Sequence, residues 1–275
     1  MRGSTPCSDP STREFGGNTA CILIDIPGQA PIICDMGTGL PYLGRDLLAR
    51  DDVDTDNFRA TILVSHLHWD HIQGLPFFTP LLRPGAEVEI MGPNQEGSSL
   101  ADEFASCIQP PVFPVSLTDL PGAILYRELD REQVKIGAVT VDAFPVLHVG
   151  PTNGYRIENG SGSLVFICDH QQPYDGSLDV PDDVVAACAG ADILIHDSQY
   201  DAEEFAVKST WGHCTPDYAL EVARRAEVKR LVLFHHDPAH DDAWIHDQLA
   251  RVRAMAGDEV EVVAAYEGMS LTSGG

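Results

Sequence analysis

Four side chains that commonly bind metal ions crowd into six positions of the stretch SHLHWDHIQG, residues 65–74. They are His66, His68, Asp70 and His71. Imidazole and carboxylate groups suit zinc, and also manganese or iron. His66 and His68 alternate along an extended segment and can point to one ion, while Asp70 and His71 follow as the chain turns and can face another. Four ligands exceed what one catalytic ion with an open position needs, so we predict two ions with further ligands elsewhere.

Those further ligands are expected where apolar runs stop. His148 ends the run VTVDAFPVLH, Asp169 ends SLVFICD, and His235 ends RLVLFH. Loops at strand ends carry functional side chains because the sheet beneath them is rigid. We therefore predict that these three residues complete the metal ligands.

The elements that must position these ligands are mostly strands. Short β-branched runs predict strands at 21–26, 31–36, 60–66, 88–91, 139–148, 163–169, 191–197, 230–236 and 260–266. Helices are expected at 182–190, at 216–226 with Thr215 as N-cap, and at 241–255. Strands that first pair as hairpins and then alternate with helices predict two sheets covered by helices. We expect a single domain over 1–275, in which the least regular part, 92–137, forms a lid-like insertion.

Composition narrows the partners and the compartment. The 275 residues include 42 acidic and 17 basic side chains, a formal net charge of −25 at pH 7, which argues against a large nucleic acid partner. The seven cysteines form no C-x-x-C pair and indicate reduced thiols, not a cysteine zinc cluster. No apolar run approaches the roughly 18 residues of a membrane span. With no signal peptide at the start, a cytoplasmic protein without a membrane partner is expected.

The H-x-H-x-D-H motif, followed by separate His, Asp and His ligands, resembles the metallo-β-lactamase superfamily. GGNTAC (16–21) and the D-x-G-x-G of DMGTG (35–39) also fit it, so the resemblance covers nearly the whole chain. It implies an α/β fold, a four-layered αβ/βα sandwich with two divalent metal ions at the sheet edges. GHCTPDYALEVA (212–223) followed by LVLFHHD is similar to the tRNase Z and phosphodiesterase branch, which carries an additional histidine, here His213. Members usually begin with a strand before the R-G-S element, which starts here at Arg2, so we expect that strand to be missing.

Residue by residue, the resemblance assigns seven ligands to two ions: His66, His68 and His148 to the first, Asp70, His71 and His235 to the second, and Asp169 to both. Asp35 would orient a ligand histidine from behind. Asp70 and His213 would be catalytic residues. We also expect His196 to make a buried hydrogen bond, and His236 and His240 to lie at the surface.

The resemblance implies a metal-dependent hydrolase. Two cations about 3.5–4 Å apart can share a hydroxide that attacks phosphorus, and they neutralise the oxygens that become negative. A helix N-terminus favours anions, so His213, just ahead of Thr215, is expected to bind the phosphate or protonate the leaving oxygen. The acidic charge and the lack of a long Gly/Pro-rich tRNA-gripping arm predict a small nucleotide or other small-molecule phosphodiester as substrate.

Two alternatives to phosphodiester hydrolysis stay open at this point. The same hydroxide could open a lactone, a thioester or a β-lactam amide, since a fold does not settle function. A non-catalytic metal-binding protein is the other alternative, although the complete ligand set counts against it. Relatives in this branch are commonly dimers, so a homodimer is expected.

Overall fold

The computed structural model describes residues 1–273. The chain divides into two compact units: an N-terminal unit, Ala20–Asp130, and a C-terminal unit, formed by Met1–Thr19 and Arg131 onward. Each unit contains one β-sheet with helices, which confirms the predicted mixed α/β fold with two sheets. The assignment of 1–275 to a single domain stays a prediction.

The N-terminal unit contains a five-stranded sheet in the order β1-β2-β3-β4-β5. Its strands are β1 (Ile22–Ile24), β2 (Ile32–Cys34), β3 (Arg59–Leu63), β4 (Glu87–Gly92) and β5 (Ala123–Glu128). Its helices are α1 (Leu40–Leu48), α2 (Trp69–Ile72) and α3 (Leu100–Cys107). β1 and β2 are antiparallel, and the later neighbours are parallel.

The core of the N-terminal unit fixes the central strands β3 and β4. Ile62 and Ile90 lie on these strands and are fully buried, together with Phe78 and Phe104. Burying a large apolar side chain contributes about 1.5–3 kcal/mol, so such residues make the sheet a rigid support. The histidine-rich turn directly follows the carboxyl end of β3, so the rigid sheet holds it in position.

Residues 92–137 contain both regular elements and loop. α3 begins after Ser99, whose hydroxyl accepts a hydrogen bond from the Asp102 backbone N–H at 3.1 Å. β5 and the first strand of the next sheet also fall in this range. The QPPVFPV stretch, 109–115, forms turns and bends. Its role as a lid stays a prediction.

The C-terminal unit contains a seven-stranded sheet in the order β12-β11-β10-β9-β8-β7-β6. Its strands are β6 (Gln133–Ile136), β7 (Val139–Pro145), β8 (Asn153–Glu158), β9 (Ser163–Ile167), β10 (Ile193–Asp197), β11 (Arg230–Phe234) and β12 (Glu261–Ala264). Its helices are α4 (Asp182–Cys188), α5 (Ala202–Lys208), α6 (Pro216–Arg225) and α7 (Asp242–Ala256).

The strand directions of this sheet gather candidate ligands at one edge. β9, β10 and β11 are parallel neighbours. β7 is antiparallel to β8, and β8 to β9, so β7 runs in the same direction as β9. The carboxyl ends of these four strands therefore meet at the same edge, where α/β sheets usually bind ligands.

Helix α6 confirms a prediction from the sequence. The Thr215 hydroxyl accepts a hydrogen bond from the Tyr218 backbone N–H at 3.2 Å, and Pro216 occupies the first turn. Such a cap contributes about 1 kcal/mol. Tyr218 and Leu220 pack into the core of the C-terminal unit against residues such as Val165. Among residues 1–273, no helix is long and apolar enough to cross a membrane.

Candidate metal centre

The histidine-rich turn of the N-terminal unit brings its side chains close together. The His66 ring lies 4.4 Å from the His68 ring and 4.2 Å from the His71 ring, measured between centroids. His68 precedes the single-turn helix α2, and its carbonyl accepts from the His71 backbone N–H at 3.0 Å. His66, Asp70 and His71 are buried, whereas His68 is exposed. The short helix therefore folds the motif back so that its imidazoles face one another.

Asp35 orients two of these histidines at once. Its Oδ2 accepts from His71 Nδ1 at 2.8 Å and from the Ser65 hydroxyl at 2.9 Å. The Ser65 hydroxyl donates to Asp35, so its oxygen can accept a hydrogen bond from His66 Nδ1 at 3.0 Å. Asp35 adopts a left-handed backbone conformation, φ 59°, and such strained conformations cluster at functional sites. The prediction that Asp35 orients a ligand histidine agrees with these contacts.

These hydrogen bonds give a test of whether the turn suits a metal ion. Asp35 accepts the hydrogen bond from His71 Nδ1, so in the neutral form of this ring the Nε2 atom carries the lone pair. That atom lies 3.1 Å from Asp70 Oδ2, another lone-pair donor. Two such atoms repel unless a proton or a cation lies with them. The donor set, imidazole with carboxylate, suits zinc and also manganese or iron.

The C-terminal unit has a similar group centred on Asp169. Its Oδ2 lies 3.5 Å from His148 Nε2, and its Oδ1 lies 3.3 Å from His235 Nε2. His148 follows β7, Asp169 follows β9 and His235 follows β11, so the common sheet edge places them together. The side chains of these three residues are almost fully buried. Within this unit, the structure thus brings together the three predicted ligands, which lie far apart in the sequence.

Two glycines make room for the rings of this group. The Gly212 carbonyl accepts from His148 Nδ1 at 2.6 Å, which leaves the Nε2 lone pair directed at Asp169. Gly212 has φ +96°, and a Cβ there would overlap His148 Nδ1. A Cβ on Gly3 would likewise overlap the ring of His235, which itself has φ 60°. Both contacts require glycine because the backbone lies against a ring.

His213 lies beside this group and is held by a carboxylate that the sequence reasoning missed. Its Nδ1 donates to Asp197 Oδ2 at 3.0 Å and is 3.7 Å from Asp169 Oδ2. The Asp197 carboxylate also accepts from the backbone N–H groups of His170 and Gln199, at 3.1 and 3.0 Å. The ligand atoms of Asp197, His213 and His235 are within 4.8 Å of one another. Asp197 ends the run ADILIHD, which is the signal that identified Asp169.

Other histidines support the sheet edge from behind. His196 is buried and donates from Nδ1 to the Asp197 carbonyl at 2.8 Å, while its Nε2 accepts from His170 Nδ1 at 3.0 Å. The buried hydrogen bond predicted for His196 is confirmed. Burial lowers the pKa of both imidazoles, so they are neutral at pH 7. Burial also raises the pKa of the Cys214 thiol, which donates to the same carbonyl.

The prediction of surface positions for His236 and His240 is wrong. His236 is 3 % exposed and lies 5.9 Å from the Phe15 ring. His240 is 5 % exposed and contacts Glu204 Oε1 at 2.9 Å. Phe15 and Glu204 are far away in the sequence from the histidines they contact, so local polarity does not reveal these contacts.

Comparison with known proteins defines the class. The family model of the β-lactamase superfamily domain matches residues 45–236. The chain belongs to this superfamily, in its tRNase Z and phosphodiesterase-like branch, and it is a metal-dependent hydrolase. The family assignment confirms the resemblance seen in the H-x-H-x-D-H motif.

Individual relatives refine this picture. A ribonuclease Z of Saccharolobus islandicus is 38 % identical over 249 residues, covering 80 % of this chain and 83 % of the relative. A ribonuclease Z of Sulfurisphaera tokodaii is 26 % identical over 211 residues, covering 66 % of this chain and 71 % of the relative. The metallo-β-lactamase fold protein YhfI of Bacillus subtilis superposes with a TM-score of 0.71 at 17 % identity, over 98 % of this chain and 94 % of that one. The short form of human tRNase Z superposes with a TM-score of 0.67 at 21 % identity, over 99 % of this chain and 96 % of that one. The likeness to solved structures shows the metallo-β-lactamase fold.

These relatives correct one prediction. A small-molecule substrate was expected and a large nucleic acid was not, yet the relatives are named for acting on RNA and, in the human case, on tRNA. The prediction about partners is therefore wrong. A net charge of −25 sums the whole surface, whereas an RNA-cleaving site needs positive charge only where the phosphate binds, and metal ions can supply it. The expected homodimer stays a prediction.

Proposed function

We propose that the chain is a two-metal phosphodiesterase that cleaves RNA. The observation that carries the proposal is that lone-pair donors face one another in both units. His71 Nε2 lies 3.1 Å from Asp70 Oδ2, and His148 Nε2 lies 3.5 Å from Asp169 Oδ2. Such groups suit divalent cations, and the relatives named ribonuclease Z support RNA as the substrate class.

We propose, following the family resemblance, that residues of both groups would hold two ions, for which zinc fits the donors and manganese or iron are alternatives. We assign His66, His68 and His148 to one ion, Asp70, His71 and His235 to the other, and Asp169 to both. When bound, two divalent ions supply a hydroxide nucleophile at neutral pH and neutralise charge on the phosphate oxygens. The chain orients two of the imidazole rings by hydrogen bonds. Asp35 accepts from His71 Nδ1, and the Gly212 carbonyl accepts from His148 Nδ1.

His213 handles the proton of the leaving oxygen. Asp197 accepts from its Nδ1, so the imidazole keeps one orientation and its positive form is stabilised. The proton on Nε2 can then pass to the oxygen that departs from phosphorus. Asp197 is itself held in position by hydrogen bonds from two backbone N–H groups.

The experiment compares the cleavage of RNA with the hydrolysis of other substrates. Metal-loaded protein is incubated with a labelled single-stranded RNA, with bis-p-nitrophenyl phosphate, with a lactone and with a cephalosporin. We expect cleavage of RNA, abolished by a chelator and restored by zinc. Turnover of the lactone or the cephalosporin alone would favour the alternative hydrolase, and no turnover with bound metal would favour a non-catalytic protein.

Variants test the role of His213. His213→Ala should lower kcat on RNA about 10²- to 10⁴-fold, the usual contribution of a general acid, while metal content stays unchanged. His246→Ala is the matched control, because His246 is a half-exposed histidine paired with Glu14 at 2.8 Å. If His213→Ala keeps the wild-type kcat with its metal bound, the assignment of His213 is wrong.

A further inference from the structure

An exposed tryptophan lies beside the ligand group of the C-terminal unit. Trp211 exposes 61 % of its surface. It directly precedes Gly212, whose carbonyl accepts from His148 and whose N–H donates to Gln171 Oε1 at 2.8 Å. His213 follows two residues later, and two residues span at most about 7 Å. The backbone that carries the indole is thus tied to a ligand histidine.

The Lys208 side chain packs near the indole of Trp211. The Trp211 backbone N–H donates to the Lys208 carbonyl at 2.9 Å, and Lys208 Nζ lies 5.8 Å from the centroid of the Trp211 ring. The same ammonium lies 4.4 Å from the Tyr200 ring centroid and 3.6 Å from Asp237 Oδ2. Lys208 therefore stands between two aromatic rings, anchored by a carboxylate, and fixes one side of the indole while much of the ring faces solvent.

An acidic chain that cleaves RNA must bind it without a broad basic surface. Aromatic stacking meets this need because every base presents a π-face, and stacking does not depend on net charge. Proteins that hold single-stranded nucleic acid combine such aromatic platforms with nearby cations. Trp211 with Lys208 offers both within a few residues of His213.

We propose that Trp211 is the stacking platform for one unpaired nucleobase next to the scissile phosphate, positioned by Lys208. This inference rests on the proposed RNA-cleaving function. It assigns to Trp211 a role in binding and in the choice of cleavage position, not in the chemical step. The ligand chemistry is a flat aromatic base in a single-stranded segment.

The test uses paired RNA substrates and the metal-loaded enzyme. One RNA carries its normal bases, and the others carry a single abasic nucleotide, moved one position at a time across the cleavage site. For wild type we expect one position at which the abasic residue lowers kcat/KM about 5- to 150-fold, the range for one stacked base. In Trp211→Ala, an abasic nucleotide at that position should no longer lower kcat/KM. The loss that Trp211→Ala causes on RNA with normal bases should appear in KM and not in kcat.

Variants separate stacking from packing. Trp211→Phe keeps an aromatic face and should retain part of the preference for a base at that position. Val207→Ala is the control, since Val207 is 80 % exposed on the same helix as Lys208. Lys208→Met keeps the side-chain stem without the charge and should weaken discrimination partially.

Two failures are distinguishable. If wild-type enzyme with bound metal does not cleave any of these RNAs, the proposed function fails. If wild type cleaves RNA but Trp211→Ala shows the same abasic profile, the stacking platform is refuted while the function stands. A Trp211→Ala protein that changes only its oligomeric state, with the profile intact, also refutes it and makes Trp211 a subunit contact.

Discussion

Replacing Gly212 with alanine should cost both stability and metal affinity, and the structure separates the two costs. Gly212 has φ +96°, which an L-residue adopts at a cost of about 1–2 kcal/mol. The added Cβ would also overlap Nδ1 and Cε1 of His148, which the Gly212 carbonyl orients. The ring must therefore turn away from Asp169, whose Oδ2 lies 3.5 Å from His148 Nε2.

The loss of metal affinity should come from the displaced His148 ring and not from backbone strain, so it should be specific to Gly212→Ala. Losing a partner that orients a ligand histidine typically lowers metal affinity about 10- to 100-fold. Gly160→Ala is the matched control, because Gly160 has φ +79° and a Cβ there meets nothing within 4 Å. Both variants should unfold at lower urea concentration than wild type when metal-free.

Competition with a chromophoric chelator measures the affinity. Gly212→Ala should give up its metal to about 10- to 100-fold less chelator than wild type, whereas Gly160→Ala should match wild type. If both variants hold metal equally tightly, His148 is not a ligand that depends on its orientation, and the reasoning fails.

Three further outcomes are expected. Asp35→Asn removes the charged acceptor of His71 Nδ1 and should weaken metal binding about 10- to 100-fold, measured by the same competition; unchanged affinity would contradict the role of Asp35. Asp192→Asn should lower the free energy of unfolding by about 0.5–1 kcal/mol at pH 7, because the largely exposed Lys229 ammonium at 2.7 Å holds the pKa of Asp192 below its usual range. A lowered pKa contributes stability above the unfolded value of about 4, so the difference between variant and wild type should shrink as the pH falls below it; a difference that persists in acid would contradict this. Phe104→Ala, at a fully buried position, should cost about 3–5 kcal/mol in urea unfolding, and a cost below 1 kcal/mol would mean that α3 is not part of the core.

The sequence predicted most strands because they are apolar and end at polar residues. Each predicted strand corresponds to one in the structure, but β5, β6 and β8 were missed. β8 begins with Asn153-Gly154, a pair typical of turns, and β5 lies at a sheet edge where its residues alternate in exposure. These strands owe their conformation to pairing with neighbours, which a local pattern does not contain.

The helices that were not predicted fall into two groups. α3 and α5 begin with capping boxes, Ser99 with Asp102 and Asp201 with Glu204, a signal present in the sequence that the prediction did not use. α1 contains Pro41 and an internal glycine, so its propensity is poor and packing must stabilise it.

In the candidate site, the prediction relied on metal-binding residue types at the ends of apolar runs and not on the spacing between those residues. His148, Asp169 and His235 were predicted as ligands because each follows a strand, and the shared direction of those strands brings the three side chains to one edge of the sheet. Their binding of metal stays a prediction. Asp197 also ends an apolar run, ADILIHD, so the same rule applies to it. Its hydrogen bond to His213 joins positions sixteen residues apart and depends on the fold.

Metal content tests the central claim most directly. Protein stripped by a chelator, reconstituted with zinc and freed of excess metal should contain two ions per chain by elemental analysis. His71→Ala and His148→Ala, which remove one ligand from each unit, should each lower that number. A wild-type protein that retains less than one ion per chain, or variants that retain two, would contradict the account.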